Sequence, residues 1–426
     1  MMSSGVIDCV PGVPISLVGG IQHCRDGQRK NQIMDGPRAC QPEEDVEIGD
    51  LLNAVFREGT GQDVRTDYPL VFDPAMLHNR RIVKLDGKVV AHVPILARNV
   101  ISGIDGFTVA LISGTLTHPD YRRRGLATRC LMDAVRIMDE QGWPVSVLWT
   151  VEPTFPFYQN SGWEAVSSQG RVYRVCNSEA HLFRAAPFDV VPYDPEDRQQ
   201  RDAVKAIHDA EPQRIGRSVV QHDILFSLPL MGTLLATNRD RVLAYLTYGN
   251  GMNKPGLVEA GGDVGGIETL VRHVLNEGYF DHETQAVVPL TPTGLGRVLE
   301  AAKPGSSGPV EEGAGIGFQM HRINDLERFF SGIRGHLRER AGGLEGEVCL
   351  VCSDSGKTVS LHFSGGDVSV SSDPCPDRVV LTRRQLTQLV FGSHESLPSV
   401  MIEGPARALL NRLFPYYVPF WELDHC

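Results

Sequence analysis

Thr117-His-Pro-Asp-Tyr-Arg-Arg-Arg-Gly-Leu-Ala127 sets three arginines and a glycine side by side, Arg122 to Gly125. Arginine carries a permanent charge and a rigid fork of donors, the chemistry that grips phosphate oxygens in pairs. Glycine lets a backbone come close to a ligand. The flanking elements decide whether these residues can act together. Upstream, Phe107–Leu116 is apolar and rich in β-branched residues, which predicts one buried strand. Downstream, Ala127, Leu131, Ala134, Val135 and Met138 recur at helical spacing and predict a core-facing helix from about Leu126. A strand that runs through such a loop into a helix points backbone N–H groups and the positive end of the helix dipole at one spot, a cradle for a pyrophosphate. The plainer reading is a surface turn before a helix. It leaves a basic first turn opposing the dipole with no anion to offset it.

The spacing Arg122-x-x-Gly125-x-Ala127, with a strand before it and a helix after it, resembles the acetyl-CoA loop of the GNAT N-acetyltransferases. The resemblance implies that Leu116, Thr117, Arg122, Arg123, Arg124, Gly125, Leu126 and Ala127 hold acetyl-CoA as co-substrate, without a metal. Acetyl transfer to an amine needs an unprotonated nucleophile, a stabiliser for the oxyanion and a proton for the departing thiolate. A backbone N–H near Leu116–Thr117 suits the oxyanion. Tyr158, a phenol that stays protonated at neutral pH, suits the thiolate, although packing alone would also explain a tyrosine there. His118 and Asp120 read as polar turn residues, and Glu152 as a candidate carboxylate of the cleft.

At 426 residues the chain exceeds a single core, and its composition, 42% hydrophobic and 22% charged, is that of a globular protein. No apolar run has the length of a membrane span. A formal charge of −11 argues against bulk nucleic-acid binding and suits a cationic substrate. Nine cysteines without framework spacing point to a reducing cytoplasm, and the one close pair, Cys349-x-x-Cys352, sits in a strand-like run with no partners for a zinc site.

The pattern divides the chain into four. Residues 1–36 lack periodicity and read as a disordered extension. Residues 37–186 give a helix from Pro42–Asp45, a hairpin about Asp86-Gly87, the long strand, the loop, its helix and the strand Pro144–Trp149. Residues 187–318 repeat an α/β order without an arginine-rich loop. Residues 319–426 give a helix over Asn324–Arg340, a strand meander, two more helices and an aromatic, proline-rich tail that predicts docking rather than disorder.

Leu116–Leu131, Tyr158-x-x-x-Gly162 and the ending Leu413-Phe-Pro…Pro419-Phe-Trp421 together resemble the Eis (enhanced intracellular survival) acetyltransferases over about residues 38–426. That resemblance implies mixed α/β sheets in two tandem GNAT domains followed by a sterol-carrier-protein-like domain. It further implies a hexamer and an amine acceptor such as an aminoglycoside, a polyamine or a lysine side chain. Tyr158 becomes the general acid, and the α-carboxylate of Cys426, where the family commonly ends in an aromatic residue, becomes the base. Two other readings stay open: a regulatory protein that binds acyl-CoA or lipid without turnover, and an acyltransferase acting on a macromolecular amine.

Overall fold

The computed structural model describes residues 32–166, 170–250, 255–309, 318–392, 402 and 405–425. Most of the expected extension lies outside them, but strand β1 (Met34–Ala39) already begins within it. A short 3-10 turn leads from β1 into α1 (Asp45–Phe56), and α2 (Val64–Asp67) follows, its Arg65 N–H capped by the Asp63 carboxylate. The hairpin forms as expected from β2 (Arg80–Leu85) and β3 (Lys88–Ser102). Asp86 and Gly87 both take positive φ, 51° and 83°, the combination a two-residue hairpin loop needs.

The single strand expected at Phe107–Leu116 is in fact two. β4 covers Asp105–Ile112 and β5 covers Leu116–Thr117. Gly114, at φ 58°, turns the chain out of line between them, a bulge that apolar patterning cannot reveal. After the arginine loop come α3 (Leu126–Gln141) and β6 (Val145–Thr150), then α4 (Phe155–Gln159) and β7 (Glu164–Ala165).

Sheet membership cuts across the segments expected from the sequence. The first sheet runs β1, β2, β3, β4, β6, then Phe318–Ile323, then β7, with β5 and Gln213–Gly216 both added to β3. Gly170–Cys176 leaves for a second, seven-stranded sheet, and Phe318–Ile323 comes back from the far side of that sheet to pair with β6. The two sheets are therefore interlocked by exchanged strands. A third sheet of four strands, centred on Gly346–Cys352, buries Cys349 and Cys352 as ordinary strand residues.

The helix expected at Asn324–Arg340 breaks into Leu326–Gly332 and Arg334–Ala341. The backbone is tightly packed at the break: a Cβ on Gly332 would lie 2.7 Å from the Gly106 carbonyl oxygen. One apolar core joins β4, β6, the second and third sheets and the tail residues Phe414, Tyr416, Val418 and Phe420. A second packs α3 on the opposite face of the first sheet. No helix among the described residues is long and apolar enough to cross a membrane.

Candidate functional site

β4 and β6 run parallel and pair only from Val109–Ile112 to Val145–Leu148. Past Ile112 the bulge carries the chain to β5, which pairs back to β3 through Thr117 with Ala91 and Leu116 with His92. Among the described residues β5 has no partner on its other side, so the sheet opens like a V between β5 and the end of β6. Leu116 and Thr117 present an unpaired strand edge to that opening, where an extended arm bearing amides can add as a strand.

The arginine loop follows directly. Pro119–Tyr121 is a 3-10 turn in which the His118 ring accepts from the Asp120 N–H, so both act as turn residues. Arg123 and Gly125 then take left-handed backbone at φ 64° and 73°, and Leu126 and Ala127 open α3. Gly125 caps α3 with no side chain on the first N–H groups. The helix Val264–Asn276 of the second sheet differs at its start, where the Asp263 carboxylate accepts from the Gly266 N–H at 2.9 Å. A carboxylate in that place repels a phosphate. Arg122, Arg123 and Arg124 are exposed. Arg124 lies over the Tyr121 ring at 5.1 Å and donates to Gln32, whereas Arg122 and Arg123 have no ion pair among the described residues.

Tyr158 sits on α4 and is 2% exposed. Its ring packs edge-on against Phe157 and Trp163, with centroids 4.7 and 6.4 Å away. Burial pushes its phenol up to about 12, and the Thr115 hydroxyl beside it opposes the rise. Thr115 lies in the segment between β4 and β5, so the Tyr158 hydroxyl is buried beside that segment. Glu152 is exposed at the end of β6.

The tail is docked, as its aromatic content predicts. Phe420 and His425 pack on Trp149 of β6, and Trp421 enters the core of the second sheet. Asp424 is fully buried and accepts from Arg217 at 2.7 Å and from Arg98 at 3.1 Å. Arg217 also pairs with Glu259, which accepts from the Tyr245 hydroxyl. Asp424 thus ties the tail to β3 and to the second sheet. Along β3, His92, Pro94, Leu96 and Arg98 alternate onto one face, and Trp149 shares the core of that face. The tail and the Ser113–Gly114 bulge are therefore on the same side of the sheet. Cys426 lies outside the described residues.

The sequence reading missed Thr115, His92 and the Arg98–Asp424–Arg217 cluster. Arg98 offered a clue, being a charge directly after the apolar run Pro94–Ala97 and requiring a buried partner. Nothing in the sequence around Arg98 pointed to that partner, Asp424, which is 326 residues away.

Residues 37–166 match the family model of the acetyltransferase (GNAT) domain. No curated protein matches the sequence. Among solved structures, a GCN5-related N-acetyltransferase from Anabaena variabilis ATCC 29413 is 15% identical and aligns over 91% of this chain and 97% of its own, with a TM-score of 0.66. A probable N-acyltransferase from Enterococcus faecalis V583 is 14% identical over 90% and 97%, with a TM-score of 0.68. Eis1 from Mycobacterium abscessus is 14% identical over 92% and 99%, with a TM-score of 0.60. At such identities the shared property is the fold, and it extends over nearly the whole chain. The V between β5 and β6, the uncapped start of α3 and the family match coincide in one stretch, and the chain carries at residues 37–166 an acyltransferase domain of the GNAT family.

Proposed function

We propose that the protein is an acetyl-CoA-dependent N-acetyltransferase that acetylates a primary amine by direct attack. The observation that carries this reading is the coincidence of the open β5 edge, the uncapped N-terminus of α3 and the buried Tyr158 hydroxyl at the bulge. The pyrophosphate lies at Arg122–Ala127 and the pantetheine arm along Leu116–Thr117. The amine nitrogen attacks the thioester carbonyl. A backbone N–H at the bulge end of β5 holds the oxyanion, a contribution of about 3 kcal/mol per donor. The C–S bond then breaks and the thiolate takes a proton from Tyr158. The proton lost by the amine passes through water and the terminal carboxylate of Cys426, and Tyr158 is reprotonated from the same water. Burial of the tail up to His425 against Trp149 supports that placement of the carboxylate.

The second sheet supports a second GNAT-like copy. Pro255–Gly262 and Glu283–Pro289 are parallel and joined through the helix Val264–Asn276, as β4 and β6 are through α3. Asp263 at that helix start is consistent with one acetyl-CoA site per chain. We read the third sheet and its helices as the sterol-carrier-like domain, and the assembly as a hexamer.

The test is thiol release from acetyl-CoA with a panel of aminoglycosides, polyamines, lysine peptides and simple aromatic amines. Amine-dependent release supports the enzyme. Tight acyl-CoA binding with no release from any amine supports the regulatory reading instead.

A further inference from the structure

The last described residues, Glu422–His425, form a single 3-10 turn. Side chains three apart eclipse in such a helix, so Glu422 and His425 share one side and Leu423 and Asp424 take the others. Burial follows that division. Leu423 is sealed in the apolar core and Asp424 in the Arg98–Arg217 cluster, whereas Glu422 and His425 keep 6% and 7% exposure. His425 lies on the Trp149 ring. The side of the turn that carries Glu422 therefore faces the end of β6, just beyond its pairing with β4.

Glu422 is a carboxyl group without a partner. It makes no hydrogen bond and no ion pair among the described residues, and burial alone raises its pKa to about 8. The charged groups around the turn are already engaged. Asp424 is held by Arg98 and Arg217, and Arg217 is shared with Glu259. Burial and Arg98 keep the His425 ring neutral. The indole N–H of Trp149 is a second buried group with no partner. Unpaired polar groups are costly where water is scarce. A carboxyl group so placed lowers its cost by staying protonated, and an arriving cation reverses the balance in favour of the charged form.

We propose that Glu422 receives the ammonium group of the acyl acceptor, and so selects aliphatic amines, which arrive charged, over aromatic amines, which arrive neutral. The inference rests on the acetyl-transfer reading and deepens it by naming the residue that reads the acceptor's charge. The formal charge of −11 agrees with a cationic acceptor. In the empty site Glu422 carries a proton at neutral pH. The incoming ammonium displaces that proton to water and pairs with the carboxylate. The carboxylate then takes one proton from the ammonium, which leaves a neutral amine and restores the protonated carboxyl group. The amine nitrogen attacks the thioester carbon, and its second proton, the C–S bond and the Tyr158 proton follow the course given above. Each turnover thus sends one ammonium proton to water before the C–N bond forms.

The test uses the full chain with CoA in place of acetyl-CoA, so that no turnover occurs. Putrescine and aniline are titrated by calorimetry at pH 7 in two buffers of different ionisation enthalpy, into the wild type, Glu422→Gln and Glu422→Asp. Thiol release from acetyl-CoA is then followed with the same amines. Putrescine is expected to release about one proton per site from the wild type and none from Glu422→Gln, because a carboxyl group titrating near 8 is largely protonated at pH 7. Glu422→Gln is expected to raise the KM for putrescine about tenfold or more, with the KM values for aniline and acetyl-CoA unchanged, and Glu422→Asp to recover part of the loss. A carboxyl group with a purely structural role moves none of these ratios. Absence of proton release from the wild type overturns the proposal without any variant, and so does an equal putrescine KM in the wild type and Glu422→Gln, or turnover of aniline but not putrescine. Each of these leaves acetyl transfer standing as long as some amine drives thiol release. No release with any amine overturns both readings.

Discussion

The ring of His425 lies 3.9 Å from the ring of Trp149, centroid to centroid. Trp149 follows the last β6 residue that pairs with β4, so the described end of the chain packs against β6 just beyond that pairing. Just behind it, Asp424 is held in the Arg98–Arg217 cluster, which fixes the tail through charge as well as aromatic packing.

That cluster gives the first prediction. Asp424→Ala leaves Arg98 and Arg217 buried with less compensation, and breaking a buried pair costs about 3–5 kcal/mol. A lower melting temperature and a large fall in kcat are expected, with acetyl-CoA affinity retained. A variant with unchanged melting and kcat would show that the cluster does not hold the site.

The position of the chain end gives the second. Cys426→Ala is expected to stay active, because position rather than side chain matters. Several residues added after Cys426 are expected to lower kcat by more than tenfold while calorimetry shows normal acetyl-CoA binding. Full activity in the extended protein would remove the terminal carboxylate from the mechanism.

Tyr158→Phe removes the proton donor and keeps the ring that packs on Phe157 and Trp163. The expected result is a fall in kcat of about 100-fold, the lower range for general acid catalysis, with little change in acetyl-CoA affinity. A kcat within about twofold of the wild type would make Tyr158 a packing residue.

Two buried tail groups set a pH window. Burial raises Glu422 from 4.5 to about 8. A raised carboxyl pKa means that the folded state holds the proton more tightly, so this contribution to stability is complete below about pH 4.5 and is lost as pH rises through about 8. Burial, aided by Arg98, lowers His425 from 6.5 to about 3. That contribution is present above about pH 6.5 and is lost as pH falls towards 3. Tryptophan fluorescence, with Trp149 and Trp421 both at the docked tail, is expected to report weakening on both sides. Glu422→Gln should abolish the alkaline limb and spare the acid one. An alkaline limb unchanged in that variant would assign it to another group.

Local periodicity made much of the fold legible: the α3 register, the Asp86-Gly87 turn and the helix Arg383–Phe391 all follow from it. Apolar patterning could not show where a strand bends, so the Gly114 bulge, which opens the site, was read through as continuous strand. Nor could it show which sheet a strand joins, because Gly170–Cys176 and Phe318–Ile323 alternate equally well for either sheet. The loop half of the site was readable because its residues are contiguous. The docking of the tail depends on Trp149 with His425 and on Arg98 with Asp424, contacts between residues far apart in the sequence.

Leu116–Ala127 is expected to hold the acetyl-CoA whose acetyl group is transferred. A Cβ on Gly125 meets no atom within 4 Å, but its φ of 73° disfavours a branched side chain, and such a side chain also stands where the backbone must approach the phosphates. The direct measurement is amine-dependent thiol release over a range of acetyl-CoA concentrations, for the wild type and Gly125→Val side by side. Saturable release is expected in the wild type, with the KM for acetyl-CoA raised about tenfold or more in the variant. An equal KM in the two proteins, or no amine-dependent release from the wild type, would contradict it.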